Sequence, residues 1–113
     1  MSSLTEESCV ACRADAPRVT KDEYQTMMQE IPNWQLISVD SIDRLKRTFK
    51  FANYIQAIEF SNQVGELAER EDHHPSILIE WGQVEINWWT HKIGGLHKND
   101  FISAAKTDLI FDS

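Results

Sequence analysis

The amino-acid sequence predicts an α+β domain: a four-stranded antiparallel sheet with three helices packed on one face, in helix-hairpin-helix-hairpin-helix order. Three observations carry that reading. Residues 34–51 and 76–91 each hold two strand-like runs joined by a turn too short for a parallel crossover, so each pair is an antiparallel hairpin. Residues 54–70, between the hairpins, repeat apolar side chains at helical spacing. Helical patterns at 21–31 and 98–111 open and close the domain. At 113 residues the chain suits one domain, able to bury roughly two-thirds of its unfolded surface.

Taken in order, residues 1–19 show no periodicity and include Pro17, so they read as a flexible lead-in to a single domain over 20–113. Thr20 and Glu23 form a T-x-x-E capping box, and the helix it starts stops before Pro32. Trp34–Val39 and Ile42–Phe51 are strands, with Asp40-Ser41 as their turn and Leu45, Phe49 and Phe51 on one side; Arg47 breaks the alternation. Asn53 is the expected N-cap of the longest helix. Its stripe of Tyr54, Ala57, Ile58, Phe60, Ser61, Val64, Leu67 and Ala68 faces the core, and Pro75 bars its continuation through His74.

The second hairpin runs from Ser76 to Trp81, turns at Gly82-Gln83 and returns from Val84 to His91. Strand parity sets Val84, Ile86 and Trp88 against Glu85, Asn87, Trp89 and His91. Trp81, Trp88 and Trp89 read first as core and hairpin packing. The last helix carries Phe101, Ala104, Ala105 and Leu109 as its buried side, with Asp100 in its first turn and His97, without a role, near its start. A sheet covered on one side leaves Leu78, Trp89 and His91 on its other face, where a ligand or a second subunit would cover them.

The formal net charge of −7 argues against nucleic acid, whose binding rests on Lys and Arg neutralising phosphates. No apolar run approaches the ~18 residues that span a bilayer, and no signal peptide is evident, so the chain reads as soluble and cytoplasmic. Cys9 and Cys12 form one C-x-x-C without the second pair of a four-thiolate zinc site, and read as reduced thiols.

The chemistry concentrates in Glu69-Arg-Glu-Asp-His-His-Pro75, with His91 and Asp100 downstream. Glu69, Asp72, His73, His74 and His91 are metal-ligand types, but adjacent histidines in extended backbone point apart and no HExxH pattern is present. Proton transfer suits the set better: imidazole donates and accepts near neutral pH, and Glu69, Asp72 or Asp100 can fix a tautomer. With no nucleophile motif, phosphate loop or dinucleotide fingerprint, an elimination, hydration or isomerisation remains. Helix capping by the two histidines is the bland alternative.

Glu69, His73-His74-Pro75, Trp81, His91, Gly95-Leu96 and Asp100, in this order and at these gaps, resemble the pterin-4a-carbinolamine dehydratase family. The likeness runs from about Trp34 to Leu109. The Cys9–Pro17 segment is similar to bacterial members that accompany phenylalanine hydroxylase. The resemblance implies dehydration of 4a-hydroxytetrahydrobiopterin to quinonoid dihydrobiopterin, serving aromatic amino acid hydroxylases, with neither metal nor organic cofactor. It implies His73 and His91 as acid/base residues, His74 as mainly substrate-binding, and Glu69, Asp72 and Asp100 as orienting groups. It also implies a homodimer or homotetramer, and leaves open a non-catalytic role as a dimerisation cofactor of a transcription factor or the hydroxylase. Two positions depart from the family: Ile77 replaces an aromatic residue, and His97 replaces the Ser or Thr that often opens the last helix, which is expected to weaken that cap.

Overall fold

Seven elements follow the predicted order in the computed structural model, which describes residues 20–91 and 94–113. They are α1 (Lys21–Met28), β1 (Gln35–Val39), β2 (Ile42–Lys50), α2 (Tyr54–Glu71), β3 (Ser76–Glu80), β4 (Gln83–Trp88) and α3 (Lys98–Asp112). Cys9, Cys12 and the rest of the expected lead-in lie outside the described residues. Among the described residues, no helix is long and apolar enough to cross a membrane.

Local signals set the element ends. Thr20 accepts from the Glu23 amide while the Glu23 carboxylate accepts from the Thr20 amide, and hydrogen bonds from the Thr20 amide and hydroxyl hold the Glu23 carboxyl below its ordinary pKa. Asn53 accepts from the Gln56 amide at 2.9 Å and starts α2. Val39 pairs with Ile42, so Asp40 and Ser41 alone make the first turn, with φ of 53° and 66°. Positive φ at both central residues is the type I′ geometry, which matches the twist of the strands it joins.

The strand order β1-β2-β4-β3 sets the two hairpins side by side, with β2 and β4 central. One sheet face, carrying Leu45, Phe49, Val84, Ile86 and Trp88, is buried with Ala57, Phe60, Val64 and Leu67 of α2 and Phe101, Ile102 and Ala104 of α3. Each large side chain there contributes about 1.5–3 kcal/mol on burial. Arg47 breaks the strand pattern because it serves this same face: its guanidinium lies 4.3 Å from the Phe49 ring and donates to Asp108 at 2.6 Å. Burial raises the Asp108 carboxyl above its ordinary pKa, opposed by hydrogen bonds from Trp34 and Arg47.

Several expectations need correction. Leu109 is 54% exposed, and α3 is buried chiefly in its first half, where Asn99, Asp100 and Ser103 are inside as well. Trp81 is 75% exposed at the tip of the second hairpin rather than in the core. That turn is Trp81-Gly82, one residue earlier than expected, because Glu80 pairs with Gln83 and Gly82 takes the positive φ. Tyr54, expected in the core-facing stripe of α2, is exposed at the start of that helix. Strand β4 ends at Trp88, so His91 lies beyond it, in a connection where Thr90 pairs with Gly95.

Candidate active site

The two adjacent histidines owe their divergence to the way α2 stops. Asp72 takes a left-handed conformation (φ 51°), and the His73 amide donates back to the Ala68 carbonyl at 3.1 Å, a Schellman-type closure. The helix is thus ended by Asp72, three residues ahead of Pro75. Beyond the cap the chain enters β3, and successive side chains leave it on opposite sides. His73 turns inward and is 3% exposed; His74 turns outward and is 53% exposed.

His73 meets Asp100, its Nε2 2.7 Å from Oδ1. A carboxylate can only accept, so Nε2 carries the proton and the tautomer is fixed. The imidazole also stacks on Trp88, ring centroids 5.2 Å apart. Asp100 is fully buried, and its other oxygen accepts from the Thr90 hydroxyl and the His97 amide, each at 2.8 Å. Three donors and a place in the first turn of α3, at the positive end of the helix dipole, allow a carboxylate to sit without water.

His97 does not weaken the cap of α3, as its replacement of Ser or Thr led one to expect. Its Nδ1 accepts from the Asn99 amide at 3.1 Å, while Asp100 reaches back to the His97 amide, closing a capping box. Burial lowers the His97 pKa, with Asp100 opposing and His73 reinforcing the shift. The direction suits a neutral ring, since a protonated Nδ1 could not accept.

His74 pairs with Glu69, Nε2 to Oε1 at 2.8 Å across the helix end. Both line an open groove of about 710 Å³ with Asn62, Gly65, Pro75 and Ile77. Its size suits a small organic ligand. Ile77, where an aromatic residue was the expected alternative, forms one wall.

His91 is exposed, and its ring lies 4.3 Å from that of Trp89, just past the end of β4. Its link to the other histidines runs through Thr90, which is buried, donates to Asp100 and exchanges backbone hydrogen bonds with Gly95. One carboxylate therefore holds the His73 ring and anchors the residue before His91. Asp72, expected to orient a histidine, is exposed and shapes the site through its backbone.

Thr90 was not singled out from the sequence, and Trp88, read there as core packing, also stacks on His73. A polar residue at an inward position of a strand end was the available signal for Thr90, since a buried hydroxyl needs a partner. No group of three or more His, Cys, Asp or Glu with metal-binding placement occurs among the described residues.

Comparison with known proteins bears on this arrangement. Residues 17–110 match the family model described as pterin 4 alpha carbinolamine dehydratase. A protein of Marinobacter nauticus bearing the name pterin-4-alpha-carbinolamine dehydratase is 57% identical, covering 98% of this chain and 100% of its own. One of the same name from Saccharophagus degradans is 53% identical, over 99% of each chain. Among solved structures, a transcriptional coactivator/pterin dehydratase from Brucella melitensis superposes with a TM-score of 0.75 at 30% identity, covering 83% of this chain and 98% of the other. A pterin dehydratase-like RuBisCO assembly factor of the alpha-carboxysome shares the fold, with a TM-score of 0.60 at 22% identity over 72% of this chain and 92% of its own.

Proposed function

The chain belongs to the pterin 4 alpha carbinolamine dehydratase family and is a hydro-lyase, and from that premise we propose that it converts 4a-hydroxytetrahydrobiopterin to quinonoid dihydrobiopterin by histidine acid/base catalysis, in recycling pterin for aromatic amino acid hydroxylases. The C4a–O bond breaks as an acid protonates the hydroxyl, water leaves, and a base takes the N5 proton as the C4a=N5 bond forms. Atoms and electrons balance without a redox partner. The chemistry asks for two proton-handling groups and nothing else, so metal and organic cofactor have no step to serve.

The observation that carries the reading is the pairing of each consecutive histidine with its own carboxylate, His73 with buried Asp100 and His74 with exposed Glu69. Groups of one kind in unlike surroundings can divide acid and base work. We assign His73 and His91 to proton transfer, and His74 with Glu69 to holding the pterin in the groove. Asp100 orients His73 directly and His91 through Thr90.

The test follows formation of the quinonoid dihydropterin from the carbinolamine with and without protein, in the presence of a chelator. His91→Ala is expected to lose about a hundredfold or more in kcat, the usual scale for removing a general acid or base. Turnover unchanged in that variant would remove His91 from the mechanism. A chain that assembles as a homodimer or homotetramer and captures a protein partner stoichiometrically, with no dehydration, would instead support a regulatory role.

A further inference from the structure

We propose that Arg44 is a substrate-recognition residue whose guanidinium takes an oxyanion on the C6 side chain of the pterin; the proposal rests on the assignment of His91 to proton transfer. Arg44 lies on β2, paired with Ile37 of β1, and its Cζ is 3.9 Å from the centroid of the Trp89 ring. The same indole carries His91 at 4.3 Å. The indole of Trp89 thus joins the three side chains into one group, just past the end of β4.

Stacking satisfies the charge of a guanidinium through its face but leaves its N–H donors, which lie in its plane, without acceptors. Among the described residues, Arg44 Nε is the buried side-chain polar atom that no acceptor reaches. A buried donor left unmade costs free energy, so native chains seldom retain one without a use. Acceptors are not scarce: the chain has 18 acidic against 11 basic side chains. The neighbouring cations on β2 have found theirs, Lys46 with Glu85 at 3.3 Å and Arg47 with Asp108 at 2.6 Å. Arg44 thus sits over the ring that His91 contacts, with its Nε in want of an acceptor among the described residues.

The chemistry of the pterin says what would reach it. N5 is bonded to C4a and to C6, so a histidine serving the N5 proton has the C6 substituent as its immediate neighbour. A planar fork matches phosphate or carboxylate with two parallel hydrogen bonds, and does so better than it matches a hydroxyl. The net charge of −7 repels anions in general, and an anionic substituent needs a local cation within about one Debye length, roughly 8–10 Å, to be accepted.

Two dihydropterins with the same ring test this, one with a neutral polyhydroxyalkyl C6 side chain and the other its terminal phosphate ester, titrated against the full chain by fluorescence at low ionic strength. The phosphate ester is expected to bind about tenfold tighter, a difference worth about 1.4 kcal/mol. Arg44→Gln should bring the ratio of the two dissociation constants close to one. Its Tm should fall by no more than about 4–8 °C, the scale of losing one cation–π contact of about 1 kcal/mol. Equal binding of the two ligands by the parent protein would overturn the proposal, as would a preference that survives in Arg44→Gln. Dehydration of the neutral carbinolamine without any phosphate preference would leave the dehydratase reading standing and remove only Arg44; a phosphate preference without dehydration would do the reverse.

Discussion

His73 and His74 are neighbours in the chain, and each sets Nε2 against a carboxylate at nearly the same distance, 2.7 and 2.8 Å. Water makes the two pairs different objects. The His73 and Asp100 side chains are 3% and 0% exposed, whereas those of His74 and Glu69 are 53% and 81% exposed. An exposed pair gains little over its hydrated partners, about 0–1 kcal/mol, while breaking a buried one strands a polar group that cannot return to water. The inner pair therefore holds the fold together as well as standing in the candidate site, and the outer pair adds little to stability.

The widest separation between them should come from removing each carboxylate in turn. Asp100→Ala strips acceptors from His73, Thr90 and the His97 amide, and is expected to cost about 3 kcal/mol or more and to lower Tm by more than about 10 °C. Glu69→Gln should move Tm by no more than about 2–3 °C while raising KM for the pterin. Thermal melts and steady-state kinetics on the two variants check the contrast. Equal losses of stability would mean that solvent does not divide the pairs as their exposure says.

A smaller effect sharpens what the inner pair does. Thr90 ties Asp100 to the connection that carries His91, so Thr90→Val should cost about 1–2 kcal/mol and lower kcat, though less than His91→Ala does. Thr90→Ser restores the hydroxyl and should recover most of the kcat. A merely structural role for Thr90 predicts instead that Tm falls in the valine variant with kcat unchanged at a temperature where it is folded.

The same contrast explains what was legible in the sequence. The outer pair could be read because Glu69 and His74 flank one helix end, and the capping residues Thr20 and Asn53 and the turn at Asp40-Ser41 announce themselves within a few positions. The inner pair joins residues 27 positions apart and Arg47 reaches Asp108 across 61, so spacing named candidates without saying who met whom. Asp100 was in view, yet its placement next to His73 depends on α3 packing over β4. Leu109 was misread for a related reason. Helical periodicity finds an apolar stripe, but the first half of α3 is buried nearly all round, polar positions included, and the second half emerges into solvent. His97 was passed over because an imidazole is seldom read as a cap.

That last residue supplies the smallest and most specific test. His97 is buried with Nδ1 accepting from Asn99, and its pKa in the fold lies below the 6.5 of a free imidazole, mainly through burial. Below pH 6.5 the unfolded chain takes up a proton that the folded one resists, so the unfolded state binds more protons and stability falls as pH falls through this window; above it the contribution is whole. Asn is an equally good helix cap and does not titrate. His97→Asn should therefore keep α3 capped at pH 7.5 and reduce the loss of Tm between pH 7 and 5.5. Melts of the two proteins across that range measure it, and parallel curves would show that His97 already accepts its proton in the fold, contrary to the acceptor role its Nδ1 plays at the head of α3.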